Sequence, residues 1–168
     1  MKSADAEFVE FATAAAVRLH RFAYLLCHDW HLAQDLTQTA LAKCYVSWRK
    51  VERAGNRDAY IRQVLVRAFL DHRRRRSSSE IAVSEPAVGD SYREAHDLRL
   101  TLIEALAHLP AQQRAMVVLR FWEDQTVEAT AQLLGLSKAV VQRQTLRALE
   151  RLRVLLQDDQ LTLFAGTE

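Results

Sequence analysis

Ser137, Lys138, Gln142, Arg143, Arg147 and Arg151 carry the side chains in this chain best suited to reading a nucleic acid. On a helix, Lys138, Gln142, Arg143 and Arg147 share one outer face. There an arginine can take a guanine, and a glutamine an adenine, in bidentate pairs worth about 1–3 kcal/mol of discrimination each. Arg143 and Gln142 are therefore the candidates for base edges, next to Ser137 and Lys138 at the helix start. Arg147 and Arg151 are the candidates for phosphate. A second basic set, Arg57, Arg62, Arg67, Arg73 and Arg74, lies with Gln63 in the middle of the chain. Arginines there neutralise phosphates, which gives affinity and salt dependence without sequence choice. Trp48 and Tyr60 flank the basic loop Arg49 to Arg57, and aromatics beside arginines suit stacking on an unpaired base. The alternative for Trp48 is a place in the core. Cys27, His28, Asp29 and His31 have the residue types of a metal site, but one H-x-x-H without a second ligand pair is too little. No Gly-rich phosphate loop or nucleophile motif accompanies it. The sequence thus offers no catalytic residue, metal site or cofactor. His28 and His31 are expected to mark a turn between helices.

Helices must position these groups. Thr126 to Arg153 reads as a short helix, a turn at Gly135-Leu136-Ser137 and a longer helix, the layout of a helix-turn-helix. Val127, Thr130, Ala131 and Leu134 line one face of the first helix, and Val141, Ala148, Leu152 and Leu155 one face of the second. Gly135 takes a left-handed turn cheaply and Ser137 can cap the helix after it. Upstream, Phe8, Phe11, Ala15, Leu19, Phe22 and Leu26 recur at steps of three and four and predict a first helix. A break near His28-Asp29-Trp30 precedes a second helix from about Leu32 to Trp48, with Leu36, Ala40, Cys44 and Trp48 facing inward. Arg49 to Arg57 reads as a polar loop. Asp58 is placed to cap a third helix that buries Ile61, Val64, Leu65, Ala68 and Phe69 and ends at Arg73 to Arg76. Leu98, Leu102, Leu106 and Leu109 open a second helical unit, and Pro110 starts its next helix.

With 168 residues, 49% hydrophobic, the chain can bury a core in one domain or two small ones. Its 4 glycines and 2 prolines leave little to punctuate strands, so the fold is expected to be all-α. No run spans a bilayer, and the N-terminal residues lack the form of a secretory signal, which points to a cytoplasmic protein. Cys27 and Cys44 sit on apolar stripes as reduced thiols. Net charge is only +2, but it is unevenly placed. Lys43 to Arg76 holds 11 basic and 3 acidic residues, and Ser137 to Arg153 holds 5 and 1. Between them, Ser77 to Asp97 holds 1 basic and 5 acidic residues and has the Ser, Pro and Gly content of a linker. Two basic blocks separated by an acidic strip suggest two polyanion-facing surfaces. The expected organisation is a helical domain over 1–76, a flexible linker over 77–97, a helix-turn-helix domain over 98–157 and a short tail over 158–168.

In this order the parts resemble the small two-domain sigma factors of bacterial RNA polymerase, the extracytoplasmic function (ECF) group of the sigma-70 family, and most closely its actinobacterial branch. Three blocks carry the resemblance: FAYLLCHDWHLAQDLTQTALAKCY with its D-L-x-Q run at Asp35 to Gln38, DAYIRQVLVRAFLDHRRRR, and LPAQQRAMVVLRFWEDQTVEATAQLLGLS with an R-x-W-E-D box at Arg120 to Asp124. The resemblance implies that Asp35, Leu36, Gln38 and Leu41 belong to a surface that binds core polymerase. It implies that Trp48, Arg57, Tyr60, Arg62, Gln63, Arg67, Arg73 and Arg74 serve the minus-ten element and its melting. Ser137, Lys138, Gln142, Arg143, Arg147 and Arg151 would serve the minus-thirty-five element. The implied function is promoter recognition and transcription initiation, without catalysis. Partners would be the beta and beta-prime subunits of core polymerase and promoter DNA. Many members are also held by an anti-sigma protein, a possible partner on which these residues are silent. A linker of about twenty residues reaches roughly 65–75 Å when extended, enough to separate two DNA sites.

The chain departs from the family pattern on its DNA-facing side. Where S-x-x-T-V-K-S is common it has Ser137 to Arg143, with Val140 for the threonine and Gln142 for a lysine. Leu146 replaces a small polar residue, and Arg67 stands where asparagine is frequent. Shifted or weakened promoter preference is the expectation. The competing reading is a helix-turn-helix transcriptional regulator that never engages core polymerase, for which the Asp35 to Gln38 block would have no purpose.

Overall fold

A computed structural model describes residues 3–78 and 98–156. All but two residues of the expected linker and the whole of the expected tail lie outside the described residues. Every element described is helical. Helix α1 (Ala4–Cys27) starts at Ser3, whose side chain accepts from the Ala6 N–H, and ends at His28 in the left-handed region, φ 56°. Asp29 then caps α2 (Trp30–Val46), its Oδ1 accepting from the Leu32 N–H at 2.9 Å. Helix α3 (Trp48–Arg53) and α4 (Arg57–Ser78) complete the first unit. The expected polar loop is therefore mostly a short helix, because Trp48 and Val51 on its inner side are buried. The cap of α4 also differs from expectation. Asn56 Oδ1 accepts from the Ala59 N–H at 2.9 Å, while the Asp58 carboxylate is taken by Arg18 of α1.

The stripes foreseen for α1, α2 and α4 meet as a three-helix core of Leu19, Phe22, Leu26, Leu36, Ala40, Cys44, Ile61, Leu65 and Phe69. Each large side chain so buried contributes about 1.5–3 kcal/mol. The second unit consists of α5 (Leu98–Ala107), α6 (Ala111–Val117) running into one π-helical turn (Val118–Trp122), α7 (Val127–Leu134) and α8 (Lys138–Leu156). Helix α8 packs on α5, α6 and α7 through Val141, Thr145, Ala148 and Leu152. Leu155, expected on that buried face, is exposed near the end of the helix.

The two units do not hang apart. Leu25 and Leu26 of α1 belong to the same apolar cluster as Leu106, Leu109, Val117 and Val118. Two polar links cross with them. The His28 Nε2–H donates to the Ile103 carbonyl at 2.5 Å, and the buried Arg114 donates to the Leu26 carbonyl at 2.6 Å. The same guanidinium also donates to the carbonyls of Leu106, Ala107 and Leu109. The last carbonyls of a helix have no intrahelical partner and form its negative end, so Arg114 satisfies the ends of α1 and α5 together.

Candidate nucleic-acid interface

The helix-turn-helix is built as its local chemistry dictates. Thr126 caps α7, its Oγ1 accepting from the Ala129 N–H at 3.0 Å. Gly135 closes that helix at φ 67°, and the Leu136 N–H returns to the Ala131 carbonyl at 2.9 Å. Ser137 Oγ then accepts from the Val140 N–H at 3.2 Å and starts α8. With Val141, Thr145, Ala148 and Leu152 turned inward, Lys138, Gln142, Arg143, Leu146 and Arg147 are left exposed on the far side. Lys138 lies 3.3 Å from Glu128 of α7, and both side chains are well exposed. The backbone N–H of Glu128 and then Lys138 hold its carboxyl below the usual range. Arg151 reaches Gln113 Oε1 of α6 at 3.1 Å, and the Gln113 amide donates to Gln144 at 2.8 Å. This brace fixes α8 on α6. Arg151 sits on the outer side of the helix but is tied to it.

The second basic set lies along α3 and α4 and is not uniformly available. Arg67 and Arg74 are exposed, Arg74 pairing with Asp71 at 2.8 Å. Tyr60, Gln63 and Arg73 are half-buried. Arg62 is turned inward to Glu123 of the R-x-W-E-D box, with Nε 3.0 Å from Oε2. Trp48 is 3% exposed, packed against Phe8 and Phe11 at ring distances of 5.3 Å. Of the two roles open to it, the structure gives it the core, where it presents no ring face to a base. Arg57 lies over its ring at 5.1 Å and faces Glu52 at 3.6 Å, so an arginine covers the tryptophan instead.

On α2, Asp35 and Gln38 are exposed, while Leu36 is buried and Leu41 half-buried. The block is thus amphipathic: its polar pair faces outward and Leu36 anchors it. The His28 ring is spent on the Ile103 carbonyl of α5, and His31 is exposed on α2. Cys27 and Cys44 are free thiols, and burial pushes each up to about 11, which keeps them protonated at neutral pH.

Residues 12–79, from α1 through α4, match the family "Sigma-70 region 2", and residues 99–152, the second unit, match "Sigma-70, region 4". RNA polymerase sigma-E factor of Streptomyces coelicolor is 38% identical over 149 residues, covering 88% of this chain and 84% of that protein. The chain is an ECF sigma factor of the sigma-70 family. As such it acts with core RNA polymerase on promoter DNA. A more distant relative, the ECF sigma factor SigM of Mycobacterium tuberculosis, is 28% identical and covers 83% of this chain and 71% of its own length. Among solved structures, sigma factor RpoE in complex with the anti-sigma factor NepR from Bartonella quintana superposes with a TM-score of 0.74 at 25% identity, over 91% of this chain and 98% of that one.

The sequence did not disclose Arg114, Gln113 or the pairing of Glu123 with Arg62. All three lie in stretches whose helical pattern is plain, but no local signal says which polar residue will be buried. No helix among the described residues is long and apolar enough to cross a membrane.

Proposed function

We propose that the first unit holds core polymerase through the outer face of α2, with Asp35 and Gln38 in contact and Leu36 and Leu41 supporting them. In this reading α4 and the turn before it engage the minus-ten element through Arg57, Tyr60, Gln63, Arg67, Arg73 and Arg74, and Arg62 joins them once released from Glu123. Trp48 serves by fixing α3 and the turn. Helix α8 enters the major groove at the minus-thirty-five element, where Gln142 and Arg143 meet base edges and Lys138, Arg147 and Arg151 meet phosphates. The chain performs no chemistry of its own and works in the cytoplasm, where polymerase is. One observation carries the assignment of α8: its capped N-terminal half leaves Lys138, Gln142 and Arg143 exposed opposite a buried apolar face. A protein of the anti-sigma class is a further partner. The support is that RpoE, solved with such a protein, superposes on both units together.

The test is run-off transcription over fragments of the host genome with purified core polymerase, with and without the chain. Starts that need the chain and share a two-part upstream motif are the expected result. No chain-dependent transcript, together with tight duplex binding by the chain alone, would replace this reading with a regulator that does not use core enzyme.

A further inference from the structure

Leu146 is 62% exposed, an apolar side chain among Gln142, Arg143 and Arg147, well before the exposed Val154 and Leu155 at the end of the helix. It follows Gln142 by four residues and Arg143 by three, so the three side chains form one patch on α8. Its own face is turned away from Val141, Thr145, Ala148 and Leu152, so burial among the described residues does not account for it. Arg143 three residues before it and Arg147 beside it give the N-terminal side of the patch positive charge, which suits a nucleic acid, while Glu150 lies four residues beyond.

We propose that Leu146 reads the methyl group of a thymine in the minus-thirty-five element. The C5-methyl of thymine is the apolar feature of the major groove, where the other base-edge positions present hydrogen-bond donors or acceptors. A leucine placed over guanine, cytosine or adenine covers a polar edge without replacing its water, which is unfavourable. Over thymine it buries a methyl group. The helix rises 1.5 Å per residue, so Leu146 stands about 4.5–6 Å further along α8 than Arg143 and Gln142. Stacked base pairs are about 3.4 Å apart, which places the thymine one or two pairs from those that Gln142 and Arg143 contact. Leu146 is therefore a specificity-determining residue, and it gives the chain a thymine preference where a small polar residue would give none. This rests on the assignment of α8 to the major groove.

The experiment uses holoenzyme assembled from core polymerase and the full chain on its own promoter. Each thymine of the minus-thirty-five element is replaced singly by deoxyuridine, which removes the methyl and leaves every hydrogen-bonding group. Losing one buried methyl is expected to cost the unaltered chain about 3–5-fold in promoter binding at one position. Leu146→Ala and Leu146→Ser should bind the thymine and deoxyuridine promoters equally at that position and respond normally elsewhere. Leu146 is exposed, so neither change threatens the fold. If no position shows a Leu146-dependent methyl effect while Arg143→Ala still abolishes minus-thirty-five preference, the inference fails and the assignment of α8 stands. If Arg143→Ala and Gln142→Ala are silent as well, the assignment of α8 fails with it. If Leu146→Ala weakens assembly with core enzyme equally on all templates, Leu146 faces protein and the proposal is overturned.

Discussion

Arg62 and Glu123 form an ion pair across the two units, Nε to Oε2 at 3.0 Å, with only 12% and 9% of their side chains exposed. One partner lies on the helix proposed to follow the minus-ten element and the other in the segment before the helix-turn-helix. A guanidinium cannot hold this carboxylate and a phosphate in the same geometry. Binding of Arg62 to DNA therefore requires the pair to open, and the packing of the two units works against DNA contact at this residue.

Replacing Glu123 by glutamine should expose that competition. It leaves Arg62 charged, largely buried and without its carboxylate, at a cost of up to about 3 kcal/mol. The variant should melt earlier than the unaltered chain and bind DNA more tightly by itself, with a steeper salt dependence. Arg62→Met with Glu123→Leu should recover most of the stability, because an apolar pair fills the space without an unpaired charge. Thermal unfolding and a salt titration of DNA binding read both effects. Equal stability in the single and the double change would show that the pair does not couple the units.

Arg114 is the other tie, and its loss should be the more severe. Four carbonyls from the ends of α1 and α5 accept from it. Methionine in its place takes the guanidinium donor from all four, and Leu106 alone keeps a second donor in the Leu109 N–H, a loss of about 3–5 kcal/mol. Lysine should restore only part, since an ammonium lacks the planar fork that reaches several acceptors at once. Urea denaturation of Arg114→Met and Arg114→Lys, with amide exchange along the α5–α6 turn, checks the order. Full stability in the methionine variant would remove Arg114 from any role between the units.

What the sequence made legible follows from how local each cause is. Gly135, Ser137 and the His28-Asp29 break act through their own backbone and nearest neighbours, and each lies where its chemistry predicts. The stripes through Phe22, Leu36 and Ile61 were equally plain, because a period of three to four survives any tertiary arrangement. Arg114 gives no such signal: in LPAQQRAMV it reads as one more solvated arginine, and only helix ends brought from elsewhere bury it. Glu123 and Arg62 are 61 residues apart and obey no pattern. Trp48 has two roles open to it in the sequence, and Phe8 and Phe11, far back on α1, decide for the core by enclosing it. The same gap explains why a linker long enough to separate two units did not reveal that their faces meet.

His72 should make the fold sensitive to mild acid. Burial lowers its pKa, Arg76, Arg73 and Arg75 lower it further, and Asp29 acts in the opposite sense. An unfolded histidine ionises near 6.5. Below that pH the unfolded chain takes up a proton that the folded chain still declines. This contribution to stability is therefore complete above about pH 6.5 and is lost as the pH falls toward the folded value. The unfolding midpoint should drop between pH 7.5 and 5.5, and His72→Gln should flatten that drop. An identical pH slope in the variant would assign the acid response to other groups.

Val140 and Gln142 offer the most direct way to move promoter preference without touching the core. Val140 is the residue whose N–H meets the Ser137 cap, and its side chain offers no hydroxyl to a phosphate. Gln142 is exposed two residues further on and can pair with adenine, where a lysine would favour guanine or a phosphate oxygen. Changing Val140 to threonine and Gln142 to lysine together adds one hydroxyl donor and one positive charge to the part of α8 proposed to meet DNA. Binding to all duplexes should strengthen and its salt slope should steepen by about one ion, because one more phosphate contact releases one more counterion. Preference at the pair now facing residue 142 should shift from adenine, by about 1–3 kcal/mol if the glutamine pairing is bidentate. Selection of minus-thirty-five sequences by holoenzyme carrying either chain reads the two effects separately, since the charge acts on every sequence and the base contact on one position. An unchanged selection with an unchanged salt slope would mean that neither side chain reaches DNA.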